Sequence, residues 1–171
     1  LLPILLGVVV PVHSALPPAL SPAPMAAMPS DCPELLVNGD FEGVSLAPWL
    51  GAGDVGLDWG RNGTHGAWLG RGDNAIGELR QAVTVPAGAN PVRLEYWWIV
   101  ESPNDQHLDV LTILVEEAGQ TQELRAWRAV APLGQWRQDA LDLTAYAGRS
   151  ISVVFLVRTD TSVPSAFVVD E

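Results

Sequence analysis

Val92-Arg93-Leu94-Glu95-Tyr96-Trp97-Trp98-Ile99-Val100 is the stretch that decides the fold class. Val92, Leu94, Tyr96, Trp98 and Val100 share one parity; Arg93, Glu95, Trp97 and Ile99 share the other. A period of two belongs to an extended strand, here with one wholly apolar face and one mixed face. Tyr96 and Trp98 fall on the core side.

The alternation recurs downstream. Leu111, Ile113 and Val115 follow a loop, Glu101 to His107, that contains Pro103, Asn104 and Asp105. Further strands are expected from Gln122 to Val130 and from Trp136 to Leu143. Ile151, Val153, Phe155 and Val157 form the inward face of the next one, with Ser152 and Arg158 on its other face, and Ala166 to Val169 begins a last strand. No stretch carries a helical period with caps. Strands at short spacing with turn signals between them predict an all-β chain folded as an antiparallel β-sandwich.

Composition agrees with an extracellular β-protein. Seven tryptophans, 16 glycines and 14 prolines accompany few charges. The formal charge of −11 argues against nucleic acid or an anionic membrane as partner, since both need a basic face. All nine basic residues are arginine, which reads as genomic base-composition bias.

Residues 1–14 are mostly apolar and match the hydrophobic part of a signal peptide that lacks its start. The apolar run falls short of the roughly 20 residues a spanning helix needs, and Pro3 and Pro11 interrupt it as a core helix. Residues 15–33 are rich in Ala, Pro and Ser and read as a linker. The folded unit is expected over 34–171, as one module of a larger secreted protein. Cys32 is the single cysteine, so no intrachain disulfide can form, and a secreted domain must find its staple elsewhere.

Two acidic motifs bracket that unit: Asn38-Gly39-Asp40-Phe41-Glu42 near its start and Phe167-Val168-Val169-Asp170-Glu171 at the end. Oxygen-rich side chains in these places suggest a metal clasp between first and last strands. Calcium suits them, being a hard cation that takes six to eight oxygen ligands in loose geometry. The first motif also reads as a plain turn, with Asn and Gly tolerating positive φ and Asp capping its own backbone.

Leu36 to Glu42 followed by Pro48-Trp49, the central Leu94 to Trp98, Asp142 to Gly148, and Phe167 to Asp170 together resemble the galactose-binding-like jelly rolls. That superfamily includes many carbohydrate-binding modules, and some similar modules of secreted bacterial proteins are MAM-like. The resemblance covers Glu34 to Glu171 and implies a jelly-roll sandwich. It further implies a structural calcium held by Glu42 and Asp170, with Asp40 third and backbone carbonyls around Thr64 to Gly66 completing the shell. In the family pattern the chain runs on past Asp170 into a closing strand, so the last strand is expected to be incomplete here.

Sugar binding needs a flat aromatic face against C–H groups, with polar side chains for the hydroxyls. Trp97 lies on the mixed strand face beside Arg93 and Glu95. Trp59 and Trp68 lie near loops rich in Gly and Asp, where binding residues gather. Trp127 and Trp136 are further possibilities. Against this, tryptophans mostly fill sandwich cores.

No catalytic constellation is visible: His-Glu-x-x-His, Gly-x-Ser-x-Gly and a phosphate loop are all missing from the sequence. Arg71-Gly72-Asp73 reads as a glycine turn, and Asn62-Gly63-Thr64 is only a formal glycosylation sequon. The sequence therefore predicts a secreted, non-catalytic module that binds extracellular glycan. The alternative is a structural or protein-interaction domain of a secreted peptidase or cell-surface protein.

Overall fold

The computed structural model describes residues 32–61, 65–101, 108–129, 134–161 and 165–171. The expected signal segment and nearly all of the linker, the sequon and most of the Glu101–His107 loop lie outside the described residues. Among the described residues no helix is long and apolar enough to cross a membrane.

Among the described residues ten strands follow one another: β1 (Leu50–Gly53), β2 (Val55–Trp59), β3 (His65–Leu69), β4 (Ile76–Thr84), β5 (Arg93–Glu101), β6 (Val110–Glu117), β7 (Gln120–Arg128), β8 (Arg137–Asp142), β9 (Ser150–Arg158) and β10 (Ala166–Asp170). A 3-10 turn, Thr144–Tyr146, separates β8 from β9. The strands form two five-stranded antiparallel sheets, ordered β1-β4-β9-β6-β7 and β2-β3-β10-β5-β8. This is the antiparallel jelly-roll sandwich that the period-two pattern and the resemblance implied.

Each inward face is a set of cross-strand rows. In the first sheet Phe155 of β9 stands opposite Leu79 of β4 and Ile113 of β6. In the second, Phe167 of β10 stands opposite Leu69 of β3 and Val100 of β5. All six are buried, and each contributes about 1.5–3 kcal/mol by leaving water. An aromatic chain crosses the core: Phe41–Trp49 at 5.6 Å, Trp49–Phe155 at 6.0 Å and Phe155–Tyr96 at 5.4 Å between centroids.

The opening motif builds the loop that delivers Phe41 and Trp49 to that core. Asn38 has φ +55° and its side chain holds the loop together. Its amide donates to the carbonyls of Ser45 and Ala47, and its Oδ1 accepts from Gly43 N–H. Gln81, buried in β4, hydrogen-bonds both the N–H and the C=O of Val37, at 2.7 and 2.8 Å. Its amide side chain stands in for a neighbouring strand there.

Four strands between residues 50 and 84 were not legible in advance, and Trp59 and Trp68, expected near loops, belong to β2 and β3. Glycines break the alternation in this region. Gly56 is required because the Trp68 indole lies 2.8 Å from where a Cβ would stand. Gly77 is required because the chain crosses between sheets at Asp54, whose carbonyl would be 2.3 Å from a Cβ.

Candidate functional site

Side chains that point away from the core on the second sheet form two neighbouring rows. One runs Gly56, Trp68, Val168, Ile99 across β2, β3, β10 and β5. The other contains Asp170, Trp97 and Gln138 on β10, β5 and β8, with Asp58 of β2 opposite Gly66 of β3. Val168 and Ile99 are only 0% and 3% exposed although they face away from the core. The middle of this face is therefore covered, and Trp68 and Trp97 keep the partly open aromatic surface on it. The outward face of the first sheet has no aromatic residue and is crossed by Arg80, held between Glu78 and Glu116.

Trp68 lies flat over Gly56, and the Arg71 guanidinium sits 4.6 Å above its ring. Arg71 also pairs with Asp58, and that hydrogen bond, with one from Trp59 N–H, holds the Asp58 carboxyl below the usual aspartate range. Trp97 is covered in the same way: the Arg61 guanidinium lies 3.7 Å from its ring centroid and pairs with Glu171 at 2.7 Å. Both rings are thus half-buried and capped by a cation whose charge is already matched.

Trp59, at the end of β2, meets Trp136, just before β8, edge to face at 5.8 Å and 84°. Trp59 shares the core-side parity of Val55 and Leu57 on β2, so it does not stand on the outward face with Trp68. Trp59 is 38% exposed. Of the seven tryptophans only Trp49 and Trp98 are buried.

Arg93 and Glu95 share the outward face of β5 with Trp97 and are exposed. Arg93 stands across from Asp142 and Glu95 across from Ala140, toward the far end of the strand. The structure thus places Trp59, Trp68 and Trp97 on the second sheet, with Arg93 and Glu95 displaced along β5.

The candidate metal ligands separate. Asp170 is buried and accepts backbone N–H bonds from Arg61 at 2.7 Å and Glu171 at 2.9 Å. Burial raises its pKa, and the nearby charges of Glu171 and Glu42 push the same way. Glu42 Oε1 accepts from His65 N–H at 3.1 Å. A buried carboxylate beside two others is chemistry that suits a hard cation. Asp40 stays exposed and caps Glu42 N–H at 3.3 Å, which is the turn geometry. His65 and Gly66 lie in β3, while Thr64 is outside the described residues. Among the described residues no three His, Cys, Asp or Glu side chains cluster tightly enough to hold a metal by themselves.

A second polar cluster bridges the lips of the two sheets. Trp127 Nε1 of β7 donates to Tyr96 Oη of β5, which donates to Asp139 of β8. Arg125 of β7 then pairs with Asp139 at 3.1 Å. Trp98 stacks on Trp127 at 4.9 Å, and its buried indole N–H has no hydrogen-bond partner among the described residues. These partnerships, like the two arginine caps, join residues far apart in sequence. No local signal announces them.

No family pattern matches the sequence, and no curated protein sequence matches it. Solved structures do. The module TmCBM61, solved in complex with β-1,4-galactotriose, superposes with a TM-score of 0.63 at 18% identity, over 81% of this chain and 95% of that one. A second module of carbohydrate-binding family 16 gives 0.54 at 18% identity, over 81% and 96%. CBM28, a module specific for non-crystalline cellulose, gives 0.52 at 9% identity, over 80% and 92%. The chain has the jelly-roll sandwich fold of these modules.

Proposed function

We propose that this domain is a non-catalytic extracellular module that binds glycan on the outward face of its second sheet. The observation that carries the reading is the placement of the tryptophans. Trp68 and Trp97 project from that outward face and stay in contact with solvent, while the first sheet's strands carry no aromatic residue on their outward face. The open parts of these rings suit the C–H face of a sugar, and Asp58, Gln138 and the two arginines supply hydrogen bonds for hydroxyls. The fold shared with a module solved on β-1,4-galactotriose adds support.

A calcium ion belongs to the same proposal, with Glu42 and Asp170 as its side-chain ligands. When bound it would neutralise clustered carboxylates. Glu42 and Asp170 would then tie β10 to the opening loop, and main-chain carbonyls would supply further oxygens.

The two arginine caps favour a second reading. Rings already covered by Arg61 and Arg71 serve as braces, as a structural or protein-contacting domain of a secreted protein would use them. Titration calorimetry with β-1,4-linked galactose, glucose and xylose oligosaccharides separates the two. Glycan binding requires a saturable signal that Trp97→Ala and Trp68→Ala each reduce at least tenfold. No signal with any of the three series rejects the glycan reading for these sugars and leaves the bracing one.

A further inference from the structure

A recess of about 380 Å³ opens beside the far end of β5, lined by Asn90, Pro91, Arg93, Leu141, Asp142 and Thr144 together with Ala140. Its volume falls within the range of about 300–1,000 Å³ typical of small-molecule sites. We propose that this recess is a polar subsite taking the vicinal hydroxyls of one sugar unit between the Arg93 guanidinium and the Asp142 carboxylate. The inference rests on the glycan reading above and extends it to a place that the tryptophans do not mark.

Three observations support it. Arg61, Arg71, Arg80, Arg125 and Arg149 are each held in an ion pair. Arg93, by contrast, has no hydrogen bond or ion pair among the described residues, although Asp142 stands directly across the strand pair. Its five donors are free. Asp142 is already oriented, because its Oδ1 accepts from Thr144 N–H at 2.8 Å. Thr144 is fixed in turn, its hydroxyl accepting from Val92 N–H at 3.0 Å. The carboxylate is therefore ordered before any ligand arrives, which lowers the entropy lost on binding.

The charges in the recess cancel, so it suits a neutral polyol better than an anion. One hydroxyl of a vicinal pair can donate to the carboxylate while its neighbour accepts from the guanidinium. The Asn90 amide offers both functions at the rim, and Pro91, Ala140 and Leu141 give an apolar wall. Arg93 and Trp97 are four residues apart on one face of β5, a separation of about 13 Å at the usual rise. One extended oligosaccharide can therefore span both, which a disaccharide seated on Trp97 does not.

The test is titration calorimetry of the wild type, Arg93→Met and Trp97→Ala with the disaccharide and the hexasaccharide of each β-1,4-linked series. Arg93→Met is expected to weaken the hexasaccharide about tenfold or more, as loss of hydrogen bonds from a charged donor does. Disaccharide affinity and melting temperature should stay at wild-type values. Arg93→Met binding both lengths like the wild type, while Trp97→Ala loses both, overturns the subsite and leaves the glycan reading intact. Equal weakening of both lengths also overturns it, since the residue then acts on the whole site. A wild type that binds none of the probes overturns subsite and glycan reading together.

Discussion

Tyr96 Oη donates to Asp139 at 2.9 Å while accepting from Trp127 Nε1 at 3.0 Å, so one buried phenol joins β7 of the first sheet to β5 and β8 of the second. Burial raises the phenol's pKa well above the ordinary tyrosine value. The hydroxyl therefore remains a donor to Asp139 throughout the neutral range. Tyr96→Phe removes that link and keeps the ring's packing on Phe155. It should cost about 1–3 kcal/mol, because Trp127 Nε1 loses its partner and Asp139 keeps only Arg125 at that oxygen. Urea denaturation measures it, and an unchanged midpoint would remove the inter-sheet role.

Phe155 touches both Trp49 and Tyr96 from the central strand of the first sheet. Phe155→Ala empties that position and should destabilise the domain by about 3–5 kcal/mol. Thermal unfolding with near-ultraviolet circular dichroism would read the loss together with the loosened rings.

Gly56→Ala tests the seat of Trp68. A Cβ there meets the indole at 2.8 Å, so the ring must lift off the sheet. The expected result is at least a tenfold loss of whatever glycan affinity Trp68 supplies, with only a small change in melting temperature. Wild-type affinity would show that Trp68 is not part of the binding surface.

Asp58 should titrate below the ordinary aspartate value of about 4 because the Arg71 hydrogen bond favours its charged form. The stabilisation it contributes is present above the unfolded-state value and is lost as pH falls through the lower folded-state value. A carboxyl-carbon NMR titration should show this depressed midpoint. Arg71→Ala should raise it toward the normal value.

Calcium in hundredfold excess over its Kd should raise stability by about 2.7 kcal/mol if it binds only the folded chain. Melting temperature should fall in EDTA, and Glu42→Gln should remove most of the difference. Identical melts with calcium and EDTA would dismiss the clasp.

The sequence made the later strands legible because Val92–Val100, Leu111–Val115 and Ile151–Val157 alternate cleanly, and all three lie in strands with the apolar parity inward. Strand ends shifted by a residue or two: β7 starts at Gln120, two residues ahead of the expected Gln122, on the far side of a tight turn at Ala118 and Gly119. The strands from Leu50 to Thr84 stayed hidden because glycine carries no side-chain polarity to count. The site was partly legible. An aromatic on the mixed face of β5 is visible as Trp97 in the alternation, but its cap comes from Arg61, 36 positions away in the chain (97 − 61). Arg93 looked like a neighbour of Trp97 because they share a parity; rise along the strand places it instead in a separate recess.

The place of β10 in the second sheet has a consequence for how the protein is made. β10 pairs with β3 on one side and β5 on the other, and every one of its five residues is buried. Both partners leave the ribosome well before residues 166–170 do. Until then β3 and β5 present unpaired hydrogen-bonding edges on either side of a gap that Phe167 and Val169 must fill. The first sheet, complete once β9 has emerged, can order during translation. The second closes only when residues 166–170 have joined it, so the aromatic face forms after the pairing of the first sheet can be complete.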